Sequence, residues 1–147
     1  MYIQLELDPG DYAVHWTFMA AISIHVLAGV FWAGSTFALV RNGMRGLQQL
    51  FEAQMAAAGL AVLSGGYLWQ SVHKGAFGRA EKILLIAMGL AIVALAVQGL
   101  SGGLALRAMR RGAHAEAAPR PRVAVVFRAA AILLAVTVVG MAAARYV

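Results

Sequence analysis

Apolar positions in this chain run on rather than alternate. Four stretches do so: about Tyr12 to Val40, Gln48 to Val72, Glu81 to Leu106, and Val123 to Tyr146. None keeps the two-residue period of a half-buried strand. Each exceeds the roughly 20 helical residues needed to cross a hydrocarbon core of about 30 Å. The pattern predicts an all-α membrane protein, an antiparallel four-helix transmembrane bundle built as one domain over 1–147. Asp8-Pro9-Gly10-Asp11 is a helix-start signal ahead of the first stretch. Short connections, Arg41 to Gly46 and His73 to Ala80, imply antiparallel neighbours. The third connection, 107–122, carries Gly112, Pro119 and Pro121 and reads as a polar loop. Before the first helix, Met1 to Leu7 alternates apolar and polar residues, which suits either a short surface strand or a segment lying on the bilayer.

Small residues mark the expected packing faces. Ala57, Ala61 and Gly65 fall on one side of the second helix, and Gly99 and Gly103 lie four apart in the third. Such spacing lets backbones approach closely in a membrane. The fourth helix has Thr137 as its one uncharged polar residue deep within the span, so it reads as a lipid-facing structural element without chemistry.

Composition agrees with the membrane class. Of 147 residues, 62% are hydrophobic and 12% charged, against about half and a quarter in soluble domains. The absence of cysteine excludes disulfides, thiolate metal sites and covalent haem attachment. The net charge of +6 does not point to nucleic acid, because the basic residues flank the spans and therefore set topology. Arg41, Arg45, Arg107, Arg110, Arg111, Arg120 and Arg122 lie in the first and third connections. Lys74, Arg79, Lys82 and Arg145 lie at the opposite end. The excess places the first and third loops in the cytoplasm and both termini outside, in a bacterial-type inner membrane. The acidic N-terminus lacks the basic region of a signal peptide.

The chemistry to be explained is carried by a few polar residues. His25 lies nine residues beyond Trp16, roughly 13 Å into the hydrocarbon at 1.5 Å per residue. An ionisable group at that depth needs a partner and marks a functional site. Ala21, Ala28 and Gly29 are its small helical neighbours, and Trp32 stands one turn further on. A hollow walled by Trp32 suits a flat macrocycle ligated by the imidazole; a hydrogen bond to a neighbouring helix is the competing explanation. His15 lies ten residues before His25, so the two point about 80° apart and one straight helix cannot bring both to one iron. His73 shares the depth of His15, and the two could form a bis-imidazole pair or meet headgroups separately. Lys82 can snorkel outward or reach toward the level of His25. Gln54, Gln70 and Gln98 read as helix–helix hydrogen-bonding residues, Met88 and Met141 as packing, and His114 as a solvated loop histidine.

The segment His25-Val-Leu-Ala-Gly-Val-Phe-Trp32-Ala-Gly34, closed by Arg41, resembles the first helix of membrane proteins of the copper-resistance D (CopD) type. It is similar also to HemJ-type protoporphyrinogen oxidases, in which tryptophan and arginine follow a histidine at the same spacings. Leu63-Ser-Gly-Gly-Tyr-Leu-Trp69 and Glu81-Lys82-Ile-Leu-Leu-Ile look like that superfamily's second and third helices. The chain carries Asn42-Gly43 where HemJ-type proteins have Tyr-His, so the resemblance stands at the superfamily level. It implies a bundle binding haem b, with His25 and Lys82 in the positions important for haem. The expectation is an integral membrane b-type haem protein, transferring electrons or oxidising a lipophilic substrate. One or two haems would be ligated by His25, His73 or His15, with Lys82, Trp32 and Gly29 completing the seat. Membrane lipid and a redox partner, a larger complex or a second copy are the expected partners. A copper-handling protein and a small accessory subunit are the alternatives.

Overall fold

The computed structural model describes residues 9–72, 78–111 and 121–146, the first five of these by backbone alone. Four helices make up the fold: α1 Pro9–Arg41, α2 Leu47–Val72, α3 Arg79–Arg110 and α4 Pro121–Ala143, the last closed by a 3₁₀ turn, Ala144–Tyr146. Pro9 and Pro121 each open a helix, where the missing N–H costs nothing and the fixed φ suits the first turn. The N-terminus of α3 is met by Glu81, whose Oε2 accepts the Gly78 N–H at 2.8 Å. α3 runs to Arg110, four residues past the expected end, and Arg107 and Arg110 in its last turn complement the helix dipole.

A Schellman motif ends α1. Gly43 takes φ +60°, the Met44 N–H bonds the Leu39 carbonyl at 2.7 Å, and the Gly43 N–H bonds that of Val40 at 3.3 Å. Two carbonyls left over at the helix end are thereby satisfied. Met44 also adopts a left-handed φ of 65°, and its side chain is buried beside Leu39 and Leu47. That apolar contact between the turn and the last helical residues holds a conformation that is unfavourable for methionine.

Consecutive helices run antiparallel. α1 packs most extensively on α2 and α3 on α4, while narrower α1–α4 and α2–α3 contacts close the ring. The diagonal pairs α1/α3 and α2/α4 make no close backbone approach. Along its axis the bundle has three zones. At the end holding the α1–α2 turn, Leu39, Met44, Leu47, Leu106 and Phe127 form a filled core. In the middle, alanines 28, 57, 58, 61, 91, 94 and 130 bring the helices together around Trp32. The opposite end is hollow.

Outward faces are as apolar as inward ones: Leu27, Val30, Leu63, Ile86, Leu100, Ile132 and Val139 are all exposed. A helix apolar all round belongs in lipid. α1, α3 and α4 are long and apolar enough to cross a membrane. α2, at 26 residues, matches them in length but falls short in apolarity, so three helices rather than four meet both criteria. Gln48, Gln49, Glu52 and Gln54 at the start of α2 and Ser64, Gln70 and Ser71 further along lower its apolarity, and Gln54 is wholly buried inside the bundle. The expectation that α4 is merely lipid-facing is corrected as well. Thr137 is buried, and its hydroxyl lies 2.9 Å from the Leu133 carbonyl and 3.3 Å from that of Ala87 on α3.

Candidate functional site

The site is built on a contact between α1 and α2. His25 is partly buried, and its Nδ1 lies 2.8 Å from the carbonyl oxygen of Ala61 and 3.3 Å from Ser64 Oγ. A carbonyl can only accept, so Nδ1 carries the proton and donates it. Ser64 is compatible, because its own hydroxyl is directed to the Leu60 carbonyl at 2.5 Å, leaving an oxygen lone pair toward the ring. In the neutral imidazole, Nε2 is then an unprotonated lone pair, and it makes no hydrogen bond among the described residues. Gly65 makes this geometry available. The residue four positions after Ala61 flanks that carbonyl on the helix surface, and a Cβ there would come within 2.9 Å of His25 Cε1. The imidazole packs directly against bare backbone.

His25 opens onto the hollow half of the bundle, a cavity of about 410 Å³. This is within the roughly 300–1,000 Å³ of small-molecule sites. All four helices contribute: Phe18, Ile22, His25, Gly29 and Trp32 from α1, Gly65, Leu68 and Trp69 from α2, Leu84 and Met88 from α3, and Leu134, Thr137 and Met141 from α4. The walls are almost entirely apolar, with His25 the one ionisable side chain among the described residues. His25, Gly29 and Trp32, taken together from sequence, are thus brought to one wall.

Beneath the cavity lies a layer of buried hydrogen bonds. Trp32 Nε1 donates to Gln98 Oε1 at 2.7 Å, and Gln98 Nε2 donates to Thr36 Oγ1 at 2.9 Å. Gln54 Nε2 donates to the same oxygen at 2.7 Å, and the Thr36 hydroxyl donates to the Trp32 carbonyl at 2.8 Å. Three helices are joined at one threonine, and the Trp32 indole is locked as the cavity floor. Gln54 Oε1 is buried without a partner among the described residues.

Other sequence candidates stand apart. His15 is exposed on α1, and Lys82 is exposed at the start of α3; neither lines the cavity. His73 and His114 lie outside the described residues. Among the described residues no three His, Cys, Asp or Glu side chains gather as a metal-chelating group. Met88, Met141, Thr137 and Trp69 join the cavity without having been singled out for it by sequence. Their signal was weak, because thioethers and a threonine at helical spacing look like packing residues.

Besides the His25 imidazole, the donor atoms lining the cavity include the Met88 and Met141 thioethers. Haem iron needs one or two axial donors on facing helices rather than a cluster. A ligating histidine nearly always donates its other ring N–H to a carbonyl or carboxylate, the state in which Ala61 holds His25. The chain matches no protein-family model, no curated protein and no solved structure.

Proposed function

We propose that this chain is an integral membrane b-type haem protein that transfers electrons or oxidises a lipophilic substrate, with His25 as the proximal ligand. One observation carries the reading. The Ala61 carbonyl fixes the His25 proton on Nδ1, which leaves Nε2 unprotonated on a residue that lines a large apolar cavity. Bound there, haem would supply the one-electron chemistry that the side chains lack. The protein's part is to orient the imidazole, to raise its basicity through the Nδ1–H bond, and to exclude water. Trp32 provides a rigid floor, and Gly65 and Gly29 remove side-chain bulk from the seat.

Orientation follows from charge. Arg41, Arg45, Arg107, Arg110, Arg111 and Arg122 cluster at the filled end, against Arg79, Lys82 and Arg145 at the cavity end. The filled end therefore faces the cytoplasm, and the cavity lies in the outer half of the bilayer.

The test is an absorption spectrum of the purified protein, oxidised and dithionite-reduced. A Soret band with reduced-haem bands is expected, and His25→Ala should abolish most of it. A colourless preparation from haem-replete cells overturns the proposal.

A second reading is favoured by one feature. Met88 and Met141 line the same cavity as His25, a nitrogen and thioether set that suits copper(I). Stoichiometric copper by metal analysis, with no porphyrin absorption, would select it.

A further inference from the structure

A haem seated on His25 would have a second face, and the register of the helices bears on what would stand there. α1 and α3 run in the same direction as diagonal partners in the bundle. They are tied at one level by the bonds of Gln98 to Trp32 at 2.7 Å and to Thr36 at 2.9 Å. Ten residues N-terminal from that tie stand Met88 on α3 and residues 22–26 on α1. The rise per residue is the same in both helices, so Met88 is level with His25. Both line the cavity, and their helices make no close backbone approach. Neighbouring helices pack at roughly 8–10 Å, which makes a diagonal on the order of 11–14 Å. Only two inward-reaching side chains can span it, as Trp32 and Gln98 do in the layer below.

We propose that Met88 supplies the second axial ligand, through its thioether sulfur, to a haem whose first ligand is His25. This rests on the haem reading above. Of the polar candidates among the described residues, His15 and Lys82 are exposed and outside the cavity lining. Met141 also lines the cavity, but the Thr137–Ala87 bond sets Thr137 beside the level of Met88. Met141 is therefore about one turn nearer the cavity-end surface, roughly 6 Å off the ligand level. Thr137 is occupied with backbone carbonyls. A thioether opposite imidazole favours the reduced iron and raises the potential relative to a bis-imidazole pair.

The experiment compares wild-type protein with Met88→Leu, Met88→His and Met141→Leu, all purified with haem. Wild type should be low-spin in both oxidation states and should not bind carbon monoxide when reduced. Met88→Leu should keep its haem, become high-spin on reduction and bind carbon monoxide. Met88→His should return to low spin with a lower midpoint potential than wild type, which also shows that the site folds with position 88 changed. Met141→Leu should match wild type. Low-spin, carbon-monoxide-insensitive Met88→Leu protein overturns the assignment while leaving haem binding at His25 intact. Haem-free wild-type protein overturns the underlying reading instead.

Discussion

At the scale of single residues, the site depends as much on a missing side chain as on the imidazole. Gly65 admits the His25 ring to the Ala61 carbonyl, and a Cβ would approach Cε1 to 2.9 Å, closer than real contacts allow. Neither party can yield easily, since one is a helix backbone and the other is held by a hydrogen bond. Gly65→Ala is therefore expected to lower haem occupancy sharply, while Gly66→Ala, with nothing within 4 Å, should leave it unchanged. The ratio of Soret to protein absorbance in matched preparations checks this. The two buried glutamines should also behave differently. Gln98 satisfies the Trp32 N–H and Thr36 together, so Gln98→Met strands a buried donor and should cost about 1–2 kcal/mol. Gln54 makes one bond and leaves Oε1 unpaired. Gln54→Met removes an unsatisfied atom along with that bond and should be close to neutral. Denaturant unfolding in detergent distinguishes them, and equal losses would mean that Gln54 Oε1 has a partner.

At the scale of helices, the α2–α3 crossing turns on Gly102. A Cβ at that position would run into the Phe51 ring, whereas one at Gly103 would meet nothing within 4 Å. Gly102→Ala should lower the melting temperature clearly and Gly103→Ala hardly at all, and Phe51→Leu should recover part of the Gly102→Ala loss. Thermal unfolding followed by circular dichroism reads the outcome, and equal effects at the two glycines would contradict the crossing. The sequence marked Gly99 and Gly103 as the close-approach pair, but Gly102 is the buried one. Spacing reveals that small residues recur on a helix, yet not how the helix is rotated against its neighbour. The same limit explains what else was legible. The number of helices and their rough extents follow from apolar runs, because only length and apolarity matter there. That His25 lies well inside the first helix was readable for the same reason. Its pairing with Ala61, the cavity-facing side of α4 and the alignment of Met88 with His25 depend on rotation and vertical register. Those are fixed by contacts between distant segments, such as Gln98 with Thr36, that no local pattern announces.

At the scale of the whole molecule, the filled and hollow halves coincide with its charge asymmetry. The α1–α2 turn, with Arg41 and Arg45, caps the core of Leu39, Met44 and Phe127. The cavity lies toward the end carrying Arg79 and Arg145. A redox site displaced toward the outer face would exchange electrons with partners on that side, or with lipophilic molecules in the outer leaflet. The chain contains no cysteine, which makes the orientation directly measurable by single thiols on an otherwise unreactive background. Asn42 is exposed in the α1–α2 turn, and Ser71 is exposed at the far end of α2, so both accept a thiol without disturbing the core. If the filled end faces the cytoplasm, Ser71→Cys should react with a membrane-impermeant maleimide in cells whose membrane is intact. Asn42→Cys should react only after that membrane is permeabilised. The reverse pattern would turn the protein over and place the His25 cavity in the cytoplasmic half. Because His25, Ala61 and Met88 keep their places within the bundle whichever way it is inserted, that inversion would change the side of the membrane served and leave the proposed ligands standing.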